Sequence, residues 1–366
     1  MPKRRSADRR TTSLIATLIT LVVAALVWAA QSFLAAPAPV APLPVAEPAW
    51  HQLYFTDPDR TAGLREPAGG LPDAVVATFN AAQQTIDLAV YEIDLPVYAD
   101  ALIAARQRGV RVRLVTDSDY LDEAPLQTLR LAGVPVVDDR RDAFMHHKFA
   151  VIDGALVWTG SMNFTFNDAY RNNNNMLLVR SARLAENFTA QFEALFEDQQ
   201  FNRAITAPRP ALNLSGTLVE TYFSPQGGVA AHVLDVLRAA QTSVHFMAFA
   251  FTRSDFSEVL IEKARAGVTV QGVFERRQVE AGADGAWEAL RRAGLDVRQD
   301  GNPYVLHHKV IIVDRQIVVT GSYNFSRNAE DANNENVLII HDAEIAGQYL
   351  KEWERVWERA GNPNSQ

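Results

Sequence analysis

One stretch of this 366-residue chain is written twice, and that repetition constrains the fold more than any other feature. Residues 146–164 read HHKFAVIDGALVWTGSMNF, and residues 307–325 read HHKVIIVDRQIVVTGSYNF. Ten of these nineteen positions are identical at a constant offset of 161. Upstream the likeness continues at an offset of 158. Gly69-Gly70 matches Gly227-Gly228, and Ala81-Ala82-Gln83 matches Ala239-Ala240-Gln241. Arg108-Gly109-Val110 likewise matches Ala266-Gly267-Val268, and Tyr54-Phe55 opens one copy as Tyr222-Phe223 opens the other. The chain therefore holds two copies of a unit of about 150 residues, an ordinary domain size. We place the first domain at 51–205 and the second at 214–362.

Each copy alternates strand and helix patterns. In the first, strands are expected at 85–91, 110–116 and 134–138, with helices at 96–108 and 124–132 that end at Gly109 and Gly133. The second repeats this with strands at 243–251, 268–274 and 295–298 and helices at 254–266 and 285–293. Two β-rich runs follow each HHK segment, at 155–159 and 175–180, then at 316–320 and 336–341. Each copy closes on a helix with an aromatic stripe, Phe188, Phe192 and Phe196 or Tyr349, Trp353 and Trp357, which reads as core packing. The expected fold is α/β: two tandem sandwich domains with mixed sheets, related by a pseudo-twofold axis.

The amino terminus reads as an address. Residues 1–36 carry Lys3, Arg4, Arg5, Arg9 and Arg10 against one acid, Asp8, and residues 14–36 are almost wholly apolar. About 20 apolar residues suffice to span a bilayer, and a basic flank stays cytoplasmic. We read 1–36 as an uncleaved signal anchor or a cleaved signal peptide that leaves the body extracytoplasmic, and Pro/Ala-rich 37–50 as a stiff linker. Beyond residue 36 the chain holds 30 bases and 42 acids, a poor general polyanion binder. The absence of cysteine excludes disulfides, thiolate nucleophiles and cysteine-based zinc sites.

The chemistry gathers at the repeated histidines. On a strand, His146 and Lys148 share one face while His147 points to the other. Asp153 ends that strand, and a second one leads to Gly160, Ser161 and Asn163. His307, Lys309, Asp314, Gly321, Ser322 and Asn324 repeat the arrangement. If the copies face each other, two imidazoles, two ammoniums and two carboxamides converge on one pocket. Such an inventory suits a phosphate diester, with lysines and amides on the non-bridging oxygens and two imidazoles in line across phosphorus.

His-x-Lys-x4-Asp followed by Gly-Ser-x-Asn, present twice, strongly resembles the phospholipase D superfamily, and the resemblance covers nearly everything from Tyr54 onward. It implies a cofactor-free, metal-independent phosphodiesterase or phosphatidyl transferase that works through a covalent phosphohistidine. One active site would form between the halves, with His146, Lys148, Asp153, His307, Lys309 and Asp314 as catalytic residues. Ser161, Asn163, Ser322 and Asn324 would support the phosphate. Asp153 and Asp314, at strand ends, suit fixing a loop more than touching substrate. The superfamily commonly places a carboxylate where Glu335 stands, 28 residues after His307; Asn174 holds the matching place after His146. The expectation is that Glu335 pairs with His307 and makes it the general acid, leaving His146 the nucleophile. The runs 172–175 and 333–336 are expected to support the site, and Arg276 and Arg277 to lie in a solvated loop rather than a basic rim.

The superfamily machinery does not itself choose a substrate. A tethered, acidic body without a basic stripe of interleaved aromatics points to phospholipid head groups in a membrane. The alternatives are an extracytoplasmic non-specific endonuclease acting on nucleic acid, a cardiolipin-synthase-like phosphatidyltransferase and a tethered phospholipid-binding module. No obligate protein partner is implied.

Overall fold

The computed structural model describes residues 20–23, 49–61, 64, 69–282 and 285–361, and Ala49–Gln366 is one compact unit. Of residues 1–48 only 20–23 are described, as a turn of helix, so the readings of 1–36 and of 37–48 lie outside the described residues. Among the described residues no helix is long and apolar enough to cross a membrane.

Two mixed sheets carry the body. The first holds β1 (His51–Phe55), β2 (Thr85–Val90), β3 (Arg111–Thr116), β4 (Val136–Asp138), β5 (Lys148–Ile152), β6 (Leu156–Gly160) and β7 (Asn175–Arg180), in the order β1-β7-β6-β5-β2-β3-β4. The second holds β8 (Ala211–Leu214), β9 (Thr217–Ser224), β10 (Ser243–Ala248), β11 (Thr269–Phe274), β12 (Asp296–Gln299), β13 (Lys309–Val313), β14 (Ile317–Gly321) and β15 (Glu335–His341), in the order β12-β11-β10-β13-β14-β15-β9-β8. Within each, three strands run parallel (β2, β3, β4; β10, β11, β12) and the remaining pairings are antiparallel. The central strands β5 and β13 are buried along their whole length, which is why KFAVI and KVIIV read as unbroken apolar runs after their lysines.

Three cores separate the layers. Helices Leu71–Ala81, Pro96–Gln107 and Ala124–Leu131 cover the outer face of the first sheet through Val75, Phe79, Leu102 and Leu126. Val229–Ala239, Ser254–Arg265 and Gly285–Arg292 do the same for the second through Val233, Leu237, Leu260 and Trp287. Between the sheets, one core draws on both halves and takes in helices Ala182–Phe196 and Ala343–Arg359. Ser181 and Asp342 cap these helices by accepting from their first-turn N–H groups. The aromatic stripes are core residues: Phe188, Phe192, Tyr349 and Trp353 are buried. The sequence pattern does not announce the helices at Leu71–Ala81 and Val229–Ala239 or the strands β1, β8 and β9. The two helices are rich in alanine and valine, and these strands, at or next to a sheet edge, gain their order from pairing across the sheet.

Candidate active site

The Gly-Ser pair at the end of β6, and its counterpart at the end of β14, lies against the start of the strand that follows in the same half. A Cβ at Gly160 would meet the Asn175 carbonyl oxygen at 2.2 Å, and one at Gly321 the Asn336 oxygen at 2.2 Å, so both positions require glycine. The following serines then bond the strands they touch: Asn175 N–H donates to Ser161 Oγ at 3.1 Å and Asn336 N–H to Ser322 Oγ at 3.0 Å.

From there each asparagine-rich run crosses into the other half. His146 N–H donates to the Asn334 carbonyl at 3.0 Å, and His307 N–H to the Asn173 carbonyl at 2.9 Å. Asn175 Nδ2 donates to Thr320 Oγ1 at 2.9 Å, and Asn336 Nδ2 returns the contact to Thr159 Oγ1 at 2.7 Å. Arg141 bonds the Ala332 carbonyl and the Asn334 amide oxygen, and Asn302 Nδ2 donates to Asn173 Oδ1 at 2.7 Å. All eight residues of 172–175 and 333–336 are buried. A seam of reciprocal polar bonds thus seats the HHK segment of each half on the other.

This exchange overturns the expected pairing of Glu335. Its carboxylate lies against His146, not His307, at 2.8 and 2.9 Å from Nδ1. The His307 Nδ1 faces Asn174 Oδ1 at 3.0 Å and Asp168 Oδ2 at 3.3 Å. The cause is topological, since β15 starts beside the other half's HHK segment rather than its own. With a carboxylate from the opposite half against each imidazole, the contrast that separated acid from nucleophile is gone. Asp168 is the residue that the motif misses. Its matching position in the second copy is Ala329, and a carboxylate present in one copy alone is the signal that would have found it.

Burial sets the electrostatics. It pushes His146 down, aided by Lys148 and Lys309, and lowers His307 to about 4 against the pull of Asp168. Burial also raises Glu335 to about 8, whereas Asp168 resists its own burial: His307, Asn172 and the Asn163 N–H hold it well below the usual carboxylate range. Lys148 is lowered by burial to about 8, and Lys309 falls further because Lys148 adds to its burial. Each Nζ donates to its own histidine's carbonyl at 2.8 Å and lies over an aromatic ring, Tyr91 at 4.9 Å and Phe249 at 4.8 Å. Two buried lysines and two imidazoles, backed by Glu335 and Asp168, thus present donors and positive charge suited to an anion.

His147 and His308 point away, as expected, and bond Asn336 and Gln191, or Asn175 and Glu352. Asn163 and Asn324 each carry a buried Oδ1 with no hydrogen-bond partner among the described residues.

The motif aspartates do not join this site, which corrects their expected catalytic place. Asp153 follows the far end of β5, about 16 Å of strand from Lys148. It accepts from the backbone N–H groups of Gln83, Gln84 and Thr85 at 2.7–2.9 Å. Asp314 takes the same role for Gln241, Thr242 and Ser243. These bonds outweigh partial burial and hold both carboxyls below their ordinary value. A depressed carboxylate contributes stability above the unfolded value near 3.9 and loses it as pH falls through the folded value. Asp153→Ala is therefore expected to cost about 1–3 kcal/mol in denaturant unfolding at pH 7. The deficit should shrink below about pH 3, and kcat should stay within a few-fold of the parent. A loss of kcat comparable to a histidine variant would return Asp153 to the catalytic set.

A profile of the family described as "Cardiolipin synthase, PLD-like domain" matches residues 75–196 and again 233–357, each match containing one histidine–lysine pair. The chain belongs to the phospholipase D superfamily. A superfamily relative named phospholipase D, from Rickettsia bellii, is 36% identical over 140 residues, covering 38% of this chain and 69% of that one. A protein named mitochondrial cardiolipin hydrolase, from Xenopus tropicalis, is 39% identical over 119 residues, 32% of this chain and 57% of its own length. Among solved structures, the phosphatidylserine synthase of Haemophilus influenzae superposes with a TM-score of 0.62 over 80% of this chain and 85% of its own. At 13% identity that likeness speaks for the fold alone. The chain is a phosphodiesterase of this superfamily, and membership accounts for both histidine–lysine pairs.

Proposed function

We propose that the protein hydrolyses phospholipid head-group diesters through a covalent phosphohistidine, without a metal or other cofactor. The observation that carries this reading is the pair of buried imidazole–lysine sets, each seated by the opposite half. Lys148 and Lys309 neutralise the phosphate, and the Asn163 and Asn324 amides, whose oxygens lack partners, are free to turn their NH2 groups to it. One imidazole Nε2 attacks phosphorus and forms the P–N bond as the P–O bond to the leaving alcohol breaks. The other imidazole, protonated, gives its proton to that oxygen. Now neutral, it takes a proton from water, whose oxygen attacks phosphorus and releases the histidine. The acidic body and the lipid enzymes named among the relatives support phospholipid over nucleic acid. The apolar run 14–36 supports a bilayer tether with the body extracytoplasmic.

Purified protein in EDTA, given phosphatidylcholine vesicles and separately single- and double-stranded DNA, tests the reading. Free choline and intact DNA are expected, at the rate seen without chelator. Degraded DNA with untouched lipid would identify a nuclease. A phosphatidyl-alcohol formed on adding a primary alcohol, with little phosphatidate, would identify a transferase. Vesicle binding without release would identify a binding module, and activity lost in EDTA would end the metal-free mechanism.

A further inference from the structure

One sheet edge is filled in the second half and open in the first. β9 is the counterpart of β1, since Tyr222-Phe223 matches Tyr54-Phe55, and the two pair antiparallel with the matching strands β15 and β7. β8 then covers the far side of β9, whereas β1 ends its sheet. Arg180 N–H donates to the Trp50 carbonyl at 2.7 Å and Thr56 N–H to the Asn174 carbonyl at 3.0 Å. Trp50, Gln52, Tyr54 and Thr56 thus turn their backbone groups to β7. Those of His51, Leu53 and Phe55 face the open side, where they have no hydrogen-bond partner among the described residues. At the place of Leu53 in the second half, Thr221 N–H donates to the Pro210 carbonyl at 2.8 Å.

A groove of about 620 Å³ runs along the open edge. Its other wall is made of Ser215 and Thr217 from the β8–β9 hairpin and of Asp342, Glu344 and Gln348 at the start of the last helix. His51 Nδ1 is buried there with no hydrogen-bond partner among the described residues.

The filled edge shows what such a groove accepts. β8 lies antiparallel on β9 with Leu212 and Leu214 buried in the core between the sheets and Ala211 and Asn213 exposed. Just before it, Asn187 clasps the backbone of Arg209, accepting from its N–H and donating to its carbonyl, both at 2.8 Å. Gln348 stands at the position of Asn187, and its amide has no partner among the described residues. Ser181 and Arg183 become Asp342 and Glu344, which makes the open groove acidic. Both acids act on the charge of His51, the residue opposite the place of Leu212.

The residues before β1 do not suit the turn that delivers β8. That turn holds Ser215 and Gly216 at φ 53° and 96°, and Glu47 and Pro48 occupy the matching positions. Proline is locked at about −65°, and Pro44, at the place of Leu212, lacks the N–H of a paired strand residue. A second copy fits no better, because a twofold pairing of β1 with β1 brings the acids of two grooves together.

We infer that the open edge of β1 docks an extended segment of a partner protein, with two apolar residues at alternate positions followed by basic ones. The segment adds an antiparallel strand to the first sheet. Backbone bonds to His51, Leu53 and Phe55 supply affinity, the apolar side chains pack as Leu212 and Leu214 do, and the basic groups meet Asp342 and Glu344.

The probe is a labelled peptide, Pro-Ala-Leu-Asn-Leu-Lys-Lys, which copies residues 210–214 and adds two lysines. It is titrated onto the full chain, and backbone hydrogen exchange is followed by mass spectrometry. The peptide should slow exchange across 51–55 and leave 217–221 unchanged. N-methylation of its two leucines removes their N–H groups and keeps their side chains. That change, and Glu344→Lys at an exposed position, should each weaken binding on the order of 10-fold. No saturable binding, or binding indifferent to N-methylation, overturns the groove. Protection at 217–221 instead would mean that the peptide displaces β8, and overturns it as well. Slow exchange at 51–55 in the free chain gives the edge to the chain itself if independent of concentration, or to a second copy if it accompanies dimerisation. Either result overturns the partner assignment.

Discussion

Replacing either His146 or His307 with alanine is expected to lower kcat roughly 1,000- to 10,000-fold, because each removes one of two groups that act in sequence on the same phosphorus. The double variant should be little worse than either single one, since the second imidazole has nothing to do once the first is missing. Both rings are buried, and alanine at 146 leaves Glu335 facing a void. His146→Asn keeps a hydrogen-bonding group there and separates folding from chemistry. Circular dichroism and thermal melting should show the asparagine variant folded and as inactive as the alanine one. A variant of either histidine that kept near-normal turnover would end the two-imidazole mechanism.

The second large effect belongs to the carboxylates. Glu335→Gln and Asp168→Asn keep volume but remove the carboxyl groups against His146 and His307, and each should lower kcat roughly 100- to 1,000-fold with little change in KM. The pH profile distinguishes positioning from mere packing. An ionised carboxylate favours imidazolium, so losing Asp168 lowers the His307 pKa and should move one limb of the kcat profile to lower pH. Asp168 carries the sharper expectation. It is held ionised by His307, Asn172 and the Asn163 N–H, so Asp168→Asn removes a full charge. An unshifted profile with near-normal kcat would reduce Asp168 to a packing residue.

Much of this was legible from the repeat. Buried strand runs and helical patterns located the parallel strands and their crossover helices in both copies, because those elements are buried and largely apolar. The motif residues His146, Lys148, His307 and Lys309 fell where strand alternation puts them. What stayed hidden depended on which strand neighbours which. Glu335 stands in register with Asn174, and register alone assigned it to its own copy's histidine; only the crossing of β15 toward residues 144–146 sends it to the other. Asp153 was misleading for a related reason. A spacing repeated in both copies says that the residue has a role but not whether its partners are substrate or three backbone amides. Asp168 lay outside the motif, on the short helix Phe166–Tyr170, where an aspartate reads as an ordinary first-turn acid.

The reciprocal seam has a consequence for how such a protein can change over time. Neither copy owns a complete cluster, since His146 and His307 each take their backing from the sister copy. A substitution at Asn175 or Thr320 in one lineage of the repeat is therefore felt by the other, and the two must drift together there. Joining both copies in one polypeptide freed them to specialise, something two identical chains docked together could never do.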